Sequence, residues 1–430
     1  MRFLFLLFFA SSLTAIATPQ LELVGSIPAS SVDSLRDSAG SFGSGIAYDH
    51  KASLLYLTTD RGPSDGKINF APRLYSVSLK PDGDPVESIR SIFPAALPSA
   101  QPPTVHLYRD SDGNPFTGLI PDSTDPEPRM KDGRRCLDPE GLSLMPDGSL
   151  FVSEEYYPSI LQFKPDGTFI RRFVPPDNYL PRDPTTEKVN FGEDADRKEG
   201  REDNRGFEGV ALSPDAKLVY AILQSGLTQD GGKDAAATRL LVFDALTGSP
   251  KSEYAIRFTD PSSMGKKDAK LKKKNLSFTD ITFLSDGRLA AIERDNHGQD
   301  GSSDPKRAVL KQILTLDFSH ATDLLSLADK PYSLRSTDPK FKKLDAQQKI
   351  QYIKTDLLFD FQSLDLPSHG LSWEQLPEKW EGITLLSDGR LLVVCDNDFL
   401  TPELSFQGEK IPFPKCQNVV DTWLFTVKLR

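Results

Sequence analysis

Cysteine is scarce in this chain. Three residues of 430, Cys136, Cys395 and Cys416, carry a thiol. No C-x-x-C pair occurs among them, which argues against a structural zinc site. A dense disulfide framework is excluded too: one bridge and one leftover thiol is the most the count allows, with three pairings open. Histidine is nearly as rare, with five residues and no H-x-H. The chain has no H-E-x-x-H, no G-x-x-x-x-G-K-[ST] and no G-x-S-x-G, so zincin, P-loop and nucleophile-elbow chemistries lack their residues. Stretches with helical periodicity are few. Beyond residue 17 no apolar run approaches the roughly 20 residues that span a bilayer. Positive charge is also in deficit, with 51 Lys and Arg against 61 Asp and Glu, a net charge of −10. That balance argues against nucleic acid or an anionic membrane as partner.

What is present begins with "MRFLFLLFFASSLTAIATPQ". A single arginine, a short apolar run and small residues ending in Ala-Ile-Ala form a secretory signal peptide over residues 1–17. Residues 18–430 are then expected as one secreted, extracellular, monomeric domain with no membrane contact. "NLS" at Asn275 is a glycosylation sequon, and the lysines of residues 266–274 before it read as a solvated loop. The 33 prolines and 29 glycines imply many turns.

One pattern recurs. "DPEGLSLMPDGSLFVSEE" begins at Asp138, "FEGVALSPDAKLVYAILQS" at Phe207, "FTDITFLSDGRLAAIERD" at Phe278 and "WEGITLLSDGRLLVVCDND" at Trp380. A looser copy, "GSGIAYDHKASLLYLTTDRG", begins at Gly43. Each is an apolar strand, a turn centred on Asp-Gly or its equivalent, and a second apolar strand. Two more strands follow most copies. They are residues 73–79 and 87–93, 159–164 and 168–174, 239–245 and 252–258, and 309–318 and 352–361. Repeated four-stranded antiparallel units predict an all-β fold, a β-propeller. A β-sandwich or a two-domain all-β protein is the alternative. The last copy is one strand short, and "LELVGSI" near the N-terminus has no hairpin, so the N-terminal strand is expected to close the ring. Five repeats are visible. Long connections over 94–137, 175–205 and 319–379 leave room for one or two more, giving five to seven blades.

Aligned on the turn, the first strand starts with Ser44, Glu140, Glu208, Thr279 and Glu381, followed by glycine or Asp280. A hairpin joins its ends, and a propeller gathers its hairpins around one channel. One mouth should therefore collect about ten polar groups, mostly acids, a geometry offered by the fold itself. Like charges repel, so cations must compensate. Oxygen ligands with few histidines favour a hard ion, Ca²⁺ or Mg²⁺, held by Glu140, Glu208, Asp280 and Glu381. Arg61, Arg205 and Arg294 would neutralise an anionic substrate. Glu154, Glu155 and Glu293 are the candidate bases, and His297, just past the fourth hairpin, is a candidate acid or base. Against this stands a simpler role: an acid repeated in every blade can serve the turn between blades, and a loop histidine can do nothing.

These ordered segments resemble the secreted phytase-like family, whose label is esterase-like activity of phytase. The resemblance spans nearly all of residues 18–430. It implies a secreted propeller that hydrolyses ester or phosphoester bonds of a small molecule, and carries over no catalytic residue. A lactonase-type propeller and a binding propeller without chemistry are the alternatives.

Overall fold

The computed structural model describes residues 19–429 apart from 39, 80–103, 123–125, 194–195, 265–270, 365, 370, 373 and 414–415. The signal peptide and the proposed strand at 87–93 lie outside the described residues. Five four-stranded antiparallel sheets form the blades of a β-propeller. The first four are, from the axis outward, Gly45–Asp49, Leu54–Thr58, Arg73–Ser78 and Thr104–Leu107; Pro139–Leu144, Leu150–Glu154, Ser159–Phe163 and Phe169–Phe173; Phe207–Leu212, Leu218–Leu223, Ala237–Asp244 and Pro250–Arg257; and Leu276–Phe283, Leu289–Asp295, Lys311–Asp317 and Lys354–Asp360. The fifth has Lys379–Leu385, Arg390–Asp396 and Thr422–Lys428, and Gln20–Ile27 as its outer strand.

The N-terminal strand thus closes the ring, pairing from Gln20 with Lys428 to Ile27 with Thr422. The first blade departs from expectation, because its outer strand is Thr104–Leu107, inside a segment read as loop. Among the described residues the long connections hold no sixth blade. They contain short helical turns and one helix, Pro339–Gln348, N-capped by Asp338. A small hairpin, Glu403–Phe406 with Glu409–Pro412, interrupts the fifth blade. Cys136, Cys395 and Cys416 are all buried free thiols, so none of the three pairings that the count allowed is made.

The continuous apolar runs are explained by packing on both faces of each blade. In the first, Leu55 and Leu57 meet Leu392 and Val394 of the fifth blade. Tyr56, one residue along and so on the other face, meets Leu142 and Val152 of the second. Each Asp-Gly turn works through both residues. Asp147, Asp286 and Asp388 accept the backbone N–H two positions on. Gly148, Gly287 and Gly389 take φ of 87°, 84° and 83°, in the left-handed region.

Third strands begin at the same rim as first strands, and three start with a buried cation. Arg73 bonds Asp33 and Asp37 at 2.7 and 2.8 Å. Arg239 bonds Asp230 and Glu253, with contacts of 2.7 to 2.8 Å, and Lys311 stands 2.8 Å from Asp295. Removing one partner of such a cluster strands the others without charge compensation. Arg239→Ala should therefore lower unfolding free energy by about 3–5 kcal/mol, read as a reduced urea midpoint; a loss below about 1 kcal/mol would show that the pair is not needed.

Candidate functional site

The five inner strands abut one another around the axis, and small residues let them. A Cβ on Gly45 would lie 2.1 Å from Glu140 O, and one on Gly141 would lie 2.6 Å from Glu208 O. A Cβ on Gly209 would meet Asp280 Cα at 2.7 Å, and one on Gly382 would meet Ile46 Cγ2 at 2.9 Å. This level narrows the channel and separates two mouths. The turn-side mouth opens into a funnel of about 690 Å³ lined by residues such as Ile46, Tyr48, Leu142, Leu212 and Phe283. Its wall is mainly aliphatic and aromatic; the ionisable groups gather at the other mouth.

There the inner strands depart from regular pairing. The register shifts between Pro139 and Leu142, Phe207 and Val210, Phe278 and Ile281, and Trp380 and Gly382. Such irregularities re-aim side chains, and they fall at Glu140, Glu208, Thr279 and Glu381.

Asp138, Glu140 and Glu155 each bring a carboxylate oxygen within 4.8 Å of the other two. They are 1%, 8% and 2% exposed. Asp138 Oδ1 accepts from Arg61 N at 3.0 Å, and Glu155 Oε1 from Gly206 N at 3.1 Å. Asp138 Oδ2 and Glu155 Oε2 are buried and accept no hydrogen bond from the described residues. Arg61 Nη1 stands 3.7 Å from that Asp138 oxygen. Burial, joined by repulsion from Glu208, Asp138 and Glu155, pushes the Glu140 pKa far above the usual carboxylate range. Asp138 is raised too, by burial against the pull of Arg61.

A second trio, Asp60, Asp396 and Asp398, also converges within 4.8 Å, but it is compensated. Ser41 and Ser44 hydroxyls donate to Asp396 at 2.7 and 3.1 Å, and Gly62 N to Asp60 at 2.8 Å. Lys379 Nζ lies 2.7 Å from Asp398. Burial holds the Asp396 pKa at about 7, with Lys379 opposing. The first trio is the one whose oxygens want a partner, and an all-oxygen set suits a hard divalent cation.

The model of the phytase-like family, esterase-like activity of phytase, matches residues 39–399. The chain belongs to the phytase-like family. An uncharacterised secreted protein of Arthroderma benhamiae is 26% identical over 451 aligned positions, covering 88% of this chain and 86% of that protein. Solved structures resemble this phytase-like propeller only loosely. A luciferin-regenerating enzyme is 12% identical with a TM-score of 0.34, covering 95% of each chain. A gluconolactonase from Xanthomonas campestris is 10% identical with a TM-score of 0.32, covering 96% of this chain and 99% of its own. Likeness at that level carries no functional argument.

The residues singled out from the sequence divide sharply. Glu140, Glu155, Glu208, Glu381, Arg61 and Arg294 do meet at the phytase-like mouth. Arg294 bonds Glu381 at 2.6 Å, and its Nε is buried without a hydrogen bond among the described residues. Arg61 pairs with Glu193 from the 175–205 connection, so it organises the mouth rather than waiting free. Arg205 donates only long bonds, 3.3 Å to Ser277 Oγ and 3.5 Å to Lys274 O.

Three acids are engaged elsewhere. Asp280, expected as a ligand, stands where the other blades have glycine, and its oxygens accept from Ile281 N at 2.8 Å and Ile383 N at 2.9 Å. It ties neighbouring inner strands together. Glu154, expected as a base, accepts from the backbone of Tyr156 and Tyr157; burial brings its pKa to about 7. Glu293 is saturated by Thr259 and Gln312. His297 is nearly buried, and its Nδ1 stands 3.8 Å from Asp295 in a separate cleft. Asn275, the sequon residue, is half-buried and donates to Asn296 at 2.8 Å.

Asp138, Asp60, Glu193 and Asp398 were not found from the sequence. Asp138 had a signal: it sits two residues before Glu140, where the chain enters the same mouth.

Proposed function

We propose that this protein is a secreted hydrolase of ester or phosphoester bonds in small molecules, working at the acidic mouth with a hard divalent cation, Ca²⁺ or Mg²⁺. The observation that carries it is the pair of buried, unbonded oxygens on Asp138 and Glu155, converging with Glu140. Those three residues would hold the ion. When bound, it supplies positive charge to the oxygen that becomes negative as the ester bond is broken. Arg205, without a close carboxylate partner among the described residues, binds an anionic substrate oxygen. Arg61 fixes Asp138 through its backbone N–H. Glu208, one blade along, has its pKa raised by burial and by repulsion from Glu155 and Glu381, which suits it to carry a proton. The family label and the secreted relative agree with this reading.

The test is metal analysis of protein equilibrated with Ca²⁺, joined to hydrolysis of aryl esters, phosphate esters and lactones. Bound calcium near one equivalent is expected. Glu140→Gln with Glu155→Gln should remove it and cut turnover by about 100-fold or more. A folded double variant that keeps both calcium and activity refutes the assignment.

A further inference from the structure

The protein is acidic overall, yet one cleft runs against that balance. It has a volume of about 680 Å³ and is lined by Lys272, Lys274, Lys306, Arg307 and His297, with no carboxylate among the described residues of its wall. Lys272, Lys274 and Lys306 make no ion pair with an acid among the described residues. Concave walls concentrate the field of charges that line them. A second observation points the same way. Gln362 lines the same cleft, and its amide Nε2 is buried with no hydrogen-bond acceptor among the described residues. A buried donor without an acceptor is costly, and an oxyanion supplies what it lacks.

We infer that this cleft binds a small, multiply charged oxyanion, separately from the acidic mouth. Lysines act as point charges toward such a ligand, and Gln362 adds a directed donor. Arg205 lies between the two sites: it bonds Lys274 O at the cleft, while its charge acts on Glu155 and Glu208 at the mouth. The inference stands without the hydrolase reading, because its readout is binding.

The experiment is calorimetric titration of the whole protein, treated to remove any glycan, with pyrophosphate and with citrate in the presence of EDTA. Saturable binding that weakens with added salt is expected. Gln362→Glu, nearly isosteric, and Lys306→Ala with Arg307→Ala should each weaken it by about tenfold or more. Glu140→Gln with Glu155→Gln should leave it intact. Preference for pyrophosphate over citrate identifies a phosphate ligand; the reverse identifies a carboxylate. Absence of binding, or binding lost in the mouth variant and kept in the cleft variants, overturns the inference.

Discussion

In the presence of a chelator, lowering the pH from 8.5 to 6.5 should raise the melting temperature by several degrees. The cause is the set of buried carboxylates whose pKa the fold raises. Asp396 and Glu154 are held at about 7, chiefly by burial. Asp60, Asp138, Glu140 and Glu208 are pushed well above their ordinary values, again by burial first. In the unfolded chain these groups ionise near pH 4. Between pH 4 and their folded pKa, the native state holds more protons, so stability falls as pH rises. One pKa unit is worth about 1.4 kcal/mol of preference between the two forms. Two groups displaced from near 4 to about 7 therefore cost the fold on the order of 8 kcal/mol together once fully ionised, part of it inside this pH window. His50, His106 and His297 act in the opposite sense, since burial lowers their pKa. Their effect sets in around their unfolded pKa of about 6.5, so it offsets part of the gain at the acid end of the window. Calcium should flatten the curve, because an ion between Asp138, Glu140 and Glu155 stabilises the ionised form and gains with pH. A melting temperature that is flat or falling toward pH 6.5 in EDTA would contradict this account.

Alanine at the channel glycines should be damaging in a fixed order. Gly45→Ala is the worst, on the order of 4 kcal/mol or more, because its Cβ would lie 2.1 Å from a backbone oxygen that cannot swing away. Gly141→Ala should cost about 2–3 kcal/mol, its nearest atoms being Glu208 O at 2.6 Å and Val210 N at 2.7 Å. Gly382→Ala should cost about 1 kcal/mol, since its nearest atom is a methyl of Ile46 at 2.9 Å. Urea unfolding of the three variants gives the order. Gly45→Ala has a second consequence, because the backbone it would displace carries Glu140. Its calcium-dependent melting shift should shrink even in whatever fraction folds. Equal losses at all three positions would mean that the inner strands are not in contact as described.

The blades were legible because the physics of a blade is local. A hairpin needs left-handed φ at its turn, and Asp-Gly at residues 147–148, 286–287 and 388–389 declares it. Burial on both faces needs continuous apolar runs, and those are visible too. The outer strand Thr104–Leu107 was missed because its four residues are at most half-buried, so no alternation marks it. The site was harder for a related reason. Adjacent residues at a strand end point to opposite sides. Sequence cannot say which of Glu154 and Glu155 enters the mouth; the structure turns Glu155 inward and gives Glu154 to the backbone of Tyr156 and Tyr157. Asp280 occupies a glycine column, which placed it among the acids by type while the packing made it a tie between strands. Glu193 reaches Arg61 from a connection that has no repeat to align.

The pairing of Gln20–Ile27 with Thr422–Lys428 also sets a clock. At translation rates of roughly 5–20 residues per second, the first strand emerges some 20–80 s before its partner exists. During that wait the first strand has an unpaired edge, and the fifth blade cannot form. The circle is therefore completed only once Thr422–Lys428 has been made, by a contact between strands about 400 residues apart. A cut or stall anywhere near the end would leave four blades able to form and the molecule open like an unclasped bracelet.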